Sequence, residues 1–363
     1  MASFKYMKLV NWIKSNIADG TFTAGKKIPT ELELSEQFSI SRNTVRQALA
    51  ELEKTGCLYR VQGGGTYISD QVQPATPKQP VASKTIGLVF GNSRSYVFPD
   101  IAQGASDYLA SKGYLLNILF SECDFMKERQ IIEMLLASKP AGILIEPANS
   151  GIQSLNDTLF HKMAEHIPTI FLHLDDSMLC PTLPLYDREG ARMLMEYLLQ
   201  MGHTQIGTIF AFKEATGQAR YLGFLDALHS HGLPHSDDIE IWLQHSNIDD
   251  YFQKNAEKAL HHMLEKVTAI FCHNDCVAYS LITYLRTIGI RVPEDISVVG
   301  YDDSLYATLD TQLTTVTHPK IQYGVRAAQA ILGLIENPDG FRAADYAIHP
   351  QLVIRNSVSP LKT

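Results

Sequence analysis

The sequence has few cysteines and no long apolar run. Its five cysteines among 363 residues are odd in number and scattered, without the spacing of a disulfide framework or a zinc site. We therefore expect reduced, mostly buried thiols and no metal. No stretch approaches the ~20 consecutive apolar residues of a membrane span, and the opening segment MASFKYMKLV lacks the apolar core of a signal peptide. These absences predict a cytoplasmic protein.

The common motifs of nucleotide-dependent enzymes and serine hydrolases are also missing. Gly87 and Gly91 do not form G-x-G-x-x-G, and Gly63–Gly65 is not followed by the Lys-Ser or Lys-Thr of a phosphate-binding loop. No G-x-S-x-G nucleophile turn occurs. A dehydrogenase, kinase or hydrolase loses its main sequence support, so we expect no enzymatic activity and no cofactor.

Charge is distributed unevenly along the chain. The net charge of −8 argues against nucleic acid as a partner of the whole surface. Residues 1–70, however, hold nine Lys or Arg against seven Asp or Glu, whereas the remainder holds 22 against 32. Any contact with DNA phosphates is therefore expected in the first 70 residues.

Residues 29–66 carry the strongest local signals. Thr30 and Glu33 have the spacing of a capping box, and Ser41 is a good N-cap for a second helix. Along that second helix one face is apolar and the other is polar. The apolar positions are Val45, Ala48, Leu49 and Leu52, and the polar ones are Arg42, Asn43, Arg46 and Gln47. With an amphipathic helix over residues 6–17 in front, this pattern predicts a helix-turn-helix.

A short hairpin is predicted directly after these helices. Gly56 suits a helix stop, and the strands Leu58–Val61 and Thr66–Ile68 flank the glycine-rich tip Gln62–Gly65. The stretch IPTELELSEQFSISRNTVRQALAELEKTGCLYRVQGGGTYI resembles the winged helix-turn-helix DNA-binding domain of the GntR family of bacterial transcription regulators. The resemblance covers residues 5–69, and it implies a DNA-binding domain at residues 1–69.

Two arginines are the candidates for reading base sequence. Arg42 and Arg46 lie one turn apart, so both can donate to guanine in one major groove. Asn43 and Thr44 suit phosphate contacts at the helix start. The wing tip, with Gln62, Gly63 and Gly64, could enter the adjacent minor groove. Solvated surface charges and a plain hairpin turn are the alternatives.

The pattern changes after the predicted wing. Residues 70–84 carry three prolines and read as an extended linker. From residue 85, short apolar runs alternate with helical segments, which is typical of parallel sheets covered on both faces. The runs are Ile86–Phe90, Leu115–Phe120, Gly142–Ile145, Thr169–Leu172, Gln205–Phe210, Ala269–Cys272 and Ser297–Val299, with helical segments such as Ile101–Lys112 and Gly190–Met201. We expect two doubly wound α/β subdomains in residues 85–363.

A second resemblance covers residues 84–357. The segments KTIGLVFGNSRSYVFPDIAQGASDYLASKGY, KPAGILIEP, RYLGFLDAL, AIFCHNDCVAYSLITYLRTIGIRVPEDISVVGYDD and LTTVTHP follow the order of the effector-binding domain of the LacI/GalR family, which has a periplasmic-binding-protein-like fold. A GntR-type winged helix joined to this module resembles the arabinose-operon repressors of Gram-positive bacteria. The chain departs from ordinary LacI members because it has no LacI-type helix-turn-helix and no hinge helix.

The candidate ligand residues follow the predicted strands, since open α/β sheets bind ligands at the carboxyl ends of their strands. Arg220 is expected to open a helix after the fifth strand; the other candidates are Tyr96, Phe98, Glu146, His173, Asp175, Lys213, Asn274 and Asp302. The resemblance implies sugar contacts for Arg220, Asn274 and Asp302. Asp275 and Asp303 are expected to be caps or structural acceptors, because neighbouring residues at a strand end point apart. His173 could equally be a core histidine, and Lys213 a solvated charge.

The two resemblances together imply a sugar-responsive transcriptional repressor. We expect a homodimer that binds operator DNA and is released by a small sugar, L-arabinose or a similar pentose. A hexose, phosphosugar or purine acting as corepressor remains an alternative ligand. A sugar-converting enzyme or a solute-binding protein is the rival class, but the first lacks a catalytic motif and the second a signal peptide.

Overall fold

The computed structural model describes residues 2–18, 20–69, 83–174, 177–244, 251–254 and 257–361. The chain divides into two compact units, 1–82 and 83–363. The predicted linker at 70–84 lies almost wholly outside the described residues and stays a prediction. In the described part, no helix is long and apolar enough to cross a membrane.

The first unit is a winged helix. Its elements are α1 (Ala2–Ala18), α2 (Glu31–Phe38), α3 (Arg42–Lys54), β1 (Leu58–Val61) and β2 (Gly65–Ile68). The helices share one small core that includes Leu9, Leu34 and Leu49, all of them buried. The two strands form an antiparallel hairpin, in which Gly65 pairs with Val61. The helix-turn-helix and wing predicted from the sequence are confirmed, although β2 begins one residue earlier than expected.

The helix ends use the predicted side chains. The Thr30 N–H donates to Glu33 Oε2 at 2.7 Å and the Glu33 N–H donates to Thr30 Oγ1 at 3.3 Å, which completes the capping box. The hydroxyl of Ser41 accepts the Thr44 N–H at 3.2 Å. Gly56, with φ of +75°, follows the end of α3 and takes the left-handed conformation that glycine adopts without steric cost.

The second unit consists of two lobes, each built on a parallel sheet. The strands of the first lobe are β3 (Thr85–Phe90), β4 (Leu115–Phe120), β5 (Gly142–Ile145), β6 (Thr169–Leu172) and β7 (Thr182–Leu183). Those of the second lobe are β8 (Ile206–Ala211), β9 (Glu240–Leu243), β10 (Ala269–Cys272) and β11 (Ser297–Val299). Their spatial orders are β4-β3-β5-β6-β7 and β11-β10-β8-β9. The two expected α/β subdomains are confirmed.

Helices cover both sheets. They are α4 (Phe98–Ser111), α5 (Phe125–Ser138), α6 (Asp157–His166), α7 (Asp187–Gln200), α8 (Ala215–Ser230), α9 (Tyr251–Lys254), α10 (Glu257–Leu264), α11 (Asp275–Thr287) and α12 (Lys320–Glu336). Short 3-10 helices lie at Asp237–Ile239, Leu305–Thr308 and Ala343–Tyr346, and a small antiparallel pair joins β12 (Thr315–Val316) to β13 (Leu352–Val353). Helices α4 and α7 each begin three residues before their predicted starts.

The chain passes between the lobes three times: after Leu185, near Pro319 and between Ile348 and Leu352. The residues on the two sides of each crossing pack in different hydrophobic cores, one in each lobe. Helix α12 returns to the first lobe and packs on α4. At the contact, Gly104 of α4 lies against the backbone of α12, and Gly324 of α12 lies against the backbone of α4. A Cβ on Gly104 would lie 2.1 Å from a carbonyl oxygen of α12. This close packing joins α12 to the rest of the first lobe. Residues that follow the strands of both sheets border one cavity.

Candidate functional site

The exposed face of α3 is the candidate DNA-reading surface. Arg42, Asn43 and Arg46 are exposed, while the apolar stripe of the same helix is buried. Thr44 is half-buried, and both its N–H and its hydroxyl are hydrogen-bonded to Ser41. The Thr44 N–H is therefore committed to the helix cap, so a phosphate would find its backbone donors at Arg42 and Asn43 instead. The reading role of these side chains stays a prediction.

Arg46 makes a surface ion pair. Its Nε lies 2.8 Å from Glu31 Oε2, and its side chain is 62% exposed. Exposed pairs of this kind contribute only ~0–1 kcal/mol, so the guanidinium can exchange Glu31 for a base edge at little cost.

The wing tip is small and accessible. Gln62 and Gly63 are exposed, and Gly63 has φ of +74°. A Cβ on Gly64 would lie 2.9 Å from Val61 Cγ1, so the tip has little room for a larger residue. A small tip of this kind suits close approach of the backbone to a groove, and the minor-groove contact stays a prediction.

A cavity of about 420 Å³ lies between the two lobes of the second unit. It is bounded by residues that follow β3, β4, β5, β6, β8, β10 and β11, which is where the sequence placed the ligand. Eight of the nine predicted ligand residues line it. They are Tyr96, Phe98, Glu146, His173, Lys213, Arg220, Asn274 and Asp302. The ninth, Asp175, lies outside the described residues.

Arg220 is the centre of a buried ion network. Its Nε donates to Asp187 Oδ1 at 2.7 Å, Nη2 to Asp302 Oδ1 at 3.0 Å and Nη1 to the carbonyl of His273 at 2.5 Å. The guanidinium also lies 3.8 Å above the ring of Tyr301. Burial alone would lower the pKa of Arg220, but the two carboxylates raise it. The network uses three of the five guanidinium N–H groups.

The position of Arg220 differs from the sequence expectation. Helix α8 begins at Ala215, so Arg220 lies in its second turn and does not open the helix. The expectation came from the R-x-x-G-F segment alone. That segment does not mark the helix start, because the residues from Ala215 to Ala219 before it are already helical.

Asp302 joins the two lobes. Its Oδ1 accepts from Arg220, and its Oδ2 accepts a short hydrogen bond from the hydroxyl of Tyr96, which belongs to the first lobe. Burial would raise the pKa of Asp302, yet the charge of Arg220 and the nearby His318 ring, whose Nδ1 lies 3.8 Å from Asp302 Oδ1, hold it well below its usual range. The pKa of Tyr96 is raised by its own burial and by the charge of Asp302. Asp302 is therefore an anionic acceptor shared by both lobes.

The residues beside the cleft divide between structural and open groups. Asn274 caps α11, because its Oδ1 accepts the Val277 N–H at 3.0 Å. Asp275 behaves as the expected structural acceptor, taking bonds from the Ser304 N–H and the Thr315 hydroxyl, both at 2.7 Å. Burial and the nearby Asp302 charge raise the pKa of Asp275 to about 7. Asp303, also expected to be structural, pairs with Arg355 at 2.6 Å.

Three histidines that line the cleft, His173, His273 and His318, each have a buried ring nitrogen that is unpaired within the described residues. His173 Nδ1 lies 3.4 Å from Glu146 Oε1, and its ring stacks on Tyr323. His318 packs edge-on against His173, and its pKa is lowered by burial. Among the described residues, neither Nε2 atom has a hydrogen-bond partner although both are buried. Buried polar atoms are normally paired, so these nitrogens are exceptions among the residues around the cleft.

Sequence reasoning missed several residues that line this cleft, among them Glu214, His273 and His318. It also missed Asp187, the buried partner of Arg220. His318 stands in the LTTVTHP segment, whose match could have singled it out. Asp187 gave no such signal, because it reaches Arg220 only where the chain passes from one lobe to the other.

One group of potential metal ligands lies outside the cleft. In the described ranges, the group His235, Asp237 and Glu240 has ligand atoms within 4.8 Å of one another. His235 Nε2 already lies 2.9 Å from Glu240 Oε1 and 3.2 Å from the hydroxyl of Tyr221. This arrangement is accounted for by hydrogen bonding and ion pairing without a metal.

A winged helix joined to a two-lobed ligand-binding unit defines the class of ligand-regulated transcription regulators. Residues 5–68 match the model of bacterial regulatory proteins of the gntR family, and residues 195–358 match the periplasmic binding protein-like domain. The chain is 35% identical to the arabinose metabolism transcriptional repressor of Geobacillus stearothermophilus, with 98% of each covered. Identity to the repressor of the same name from Halalkalibacterium halodurans is 33%, over 99% of this chain and 98% of that one. The chain belongs to the family of these repressors.

Solved structures support the same fold. The lac repressor dimer bound to operator and an anti-inducer covers 81% of this chain at a TM-score of 0.68 and 20% identity, with 99% of that chain matched. A regulator from Alkaliphilus metalliredigens complexed with D-xylulofuranose covers 76% at a TM-score of 0.64 and 22% identity, with 99% of that chain matched. These likenesses establish the periplasmic-binding-protein-like fold of the second unit.

Proposed function

We propose that the cleft binds a small neutral sugar, L-arabinose or a similar pentose, and that the bound sugar releases the protein from operator DNA. The names of the two full-length relatives support arabinose as the sugar. A repressor of sugar metabolism serves its purpose if its sugar ends repression, which supports release over corepression.

The observation that carries the proposal is the state of Arg220. A phosphorylated ligand needs a cation that is not already neutralised, and the buried guanidinium is paired with Asp187 and Asp302. A polyol needs acceptors and donors at fixed positions, and polar side chains that line the cavity, among them Glu146, Asn274 and Asp302, can supply them. The cavity volume of about 420 Å³ is within the range of small-molecule sites. A phosphosugar held by Arg94 and Lys213, which also line the cavity, is the second candidate.

We further propose that the protein acts as a homodimer on a roughly palindromic operator. A lone winged helix covers one half-site, and two linked copies gain affinity because the second contact is intramolecular. The cytoplasm, where operator DNA lies, is the proposed location, and binding without chemical turnover is the proposed activity. In this proposal, residues 1–69 form the DNA-binding domain, residues 70–84 the linker and residues 85–363 the sugar-binding domain.

The test is calorimetry on the full chain with L-arabinose, D-ribose, D-glucose, a pentose phosphate and a purine, paired with operator binding followed by fluorescence anisotropy. We expect L-arabinose to bind and to raise the dissociation constant for operator. Tyr96→Phe should weaken sugar binding, whereas Tyr108→Phe, on α4 but not among the cavity-lining residues, should not. The proposal would be rejected if only the pentose phosphate bound, or if sugar made operator binding tighter. Product analysis of the same mixtures tests for turnover.

A further inference from the structure

Hydrogen bonds join the two lobes at the edge of the cleft. The loop after β5, in the first lobe, meets the start of α8, in the second. The Ala215 N–H donates to Ser150 Oγ at 3.0 Å, and the Gly151 N–H donates to the carbonyl of Lys213 at 2.9 Å. Gln218 Nε2 donates to the carbonyl of Gly151 at 2.6 Å. We name Ser150, Gly151, Gln218 and the backbone of Lys213 and Ala215 the interlobe clasp.

The clasp completes a helix end. Glu214 stands at the N-cap of α8, but its side chain makes no cap hydrogen bond and lies 3.0 Å from His273 Nε2. The first N–H groups of a helix have no acceptor within the helix. Ser150 therefore supplies from the other lobe an acceptor of the kind that a cap residue normally supplies.

Gly151 fits the clasp because it has no side chain. A Cβ at this position would lie 2.9 Å from the carbonyl carbon and oxygen of Glu214 and 3.0 Å from Gln218 Nε2. The φ angle of Gly151 is outside the left-handed region, so an alanine suits the loop itself. The three atoms nearest to its methyl group would all belong to the opposite lobe.

The loop that carries Ser150 and Gly151 is anchored in its own lobe. Glu128 is fully buried on α5, where its carboxylate accepts the Ala148 N–H at 2.5 Å and the Asn156 amide at 2.7 Å. These contacts fix both ends of the loop to the first lobe. Breaking the clasp therefore requires the lobes to separate, because the loop cannot simply swing away.

We propose that the interlobe clasp sets the equilibrium between the open and closed forms of the sugar-binding unit. Gly151 and Gln218 are not among the residues that line the cavity, so they act on lobe closure and touch no sugar. For a ligand that binds only the closed form, the apparent dissociation constant is the intrinsic one divided by the fraction of protein in that form. A smaller closed fraction therefore means weaker apparent binding. The clasp thus determines how much sugar is needed to release operator. This inference rests on the proposed sugar-dependent release.

Two variants test the clasp in the full chain. Gly151→Ala should weaken L-arabinose binding about tenfold or more, since its methyl group opposes closure. Gln218→Ala removes one interlobe hydrogen bond and should weaken binding about three- to tenfold. Operator affinity without sugar should be unchanged or tighter, and the sugar concentration at half-release should rise by the same factors. The control is Gln103→Ala on α4, where the lost bond joins Gln103 to Asp107 within one helix.

A measurement without sugar separates the clasp from the proposed ligand. Hydrogen–deuterium exchange at the Ala215 amide, read by mass spectrometry, should be faster in both clasp variants than in the parent and the Gln103→Ala chain, with thermal melting points unchanged. Equal exchange in all four chains would overturn the proposal. Faster exchange with no L-arabinose binding by the parent would support the clasp and reject the sugar assignment. Faster exchange with unchanged sugar affinity would overturn the link between closure and binding.

Discussion

Replacing Arg220 by alanine should destabilise the ligand-binding unit strongly. Arg220 is 4% exposed, and its guanidinium lies 2.7 Å from Asp187 and 3.0 Å from Asp302. Its loss would leave two buried carboxylates without their main counter-charge. Breaking a buried ion pair by removing one partner costs about 3–5 kcal/mol, a large share of the about 5–15 kcal/mol that stabilises a typical domain. We expect the free energy of unfolding to fall by that amount at neutral pH.

The pH dependence of this loss has a definite sign. In the parent, Asp302 has a lowered pKa, so its stabilising charge is present above the pKa of the unfolded chain and is lost only in strong acid. Without Arg220, burial dominates, and the pKa of Asp302 should rise above its value in the unfolded chain. A carboxyl with a raised pKa favours the folded state as the pH falls. The stability gap between variant and parent should therefore narrow from about pH 7 to pH 5.

Urea unfolding followed by Trp242 fluorescence measures this gap, with Trp12→Phe in both chains to silence the winged helix. The matched control is Arg188→Ala, since Arg188 makes two bonds to Asp226, at 2.6 and 2.8 Å, but is 53% exposed. That exposed pair should contribute only about 1 kcal/mol or less. Equal losses for the two variants, or a gap that widens in acid, would refute the reasoning.

Two further substitutions probe the other features of the chain. Arg46→Ala should weaken operator binding by about 1–3 kcal/mol in anisotropy titrations and leave sugar binding intact, because Arg46 is exposed on the winged helix and makes a surface pair with Glu31. The control is Arg129→Ala, which removes an exposed ion pair in the other unit. An unchanged operator affinity would contradict the assignment of α3 as the reading helix. Asp275→Asn should gain stability relative to the parent as the pH rises from about 4 through 7, because the raised pKa of Asp275 favours folding below the titration and opposes it above. Parallel pH profiles for variant and parent in denaturant unfolding would count against this pKa.

The winged helix could be predicted closely because its signals are local. A capping box, an N-cap serine and a three-to-four-residue apolar repeat act within about one or two helical turns, so Thr30, Ser41 and Leu49 have the same neighbours in the sequence and in the fold. The buried strands of the second unit were also evident, since each is a short run made up mostly of apolar residues. Strand β9 was missed because it is an edge strand that is buried only at alternate residues.

The cleft was only partly predictable. Strand ends pointed to Tyr96, Glu146 and Asp302, because a parallel sheet brings its carboxyl ends to one edge. Sequence distance gave no reason to pair Tyr96 with Asp302, which lie 206 positions apart, or Gly151 with Gln218. Those contacts exist only because the chain passes between the lobes and sets two sheet edges face to face.

The sequence by itself therefore determined the class of protein: a DNA-reading helix with its caps and wing, followed by two α/β lobes. It could do so because helix caps, apolar periods and strand runs are properties of neighbouring residues. The tertiary structure alone decided that Arg220 is neutralised by Asp187 and Asp302, that Asn274 Oδ1 caps α11, and that Tyr96 meets Asp302 across the cleft. Charge pairing and desolvation depend on distances across the fold, and no local pattern encodes them.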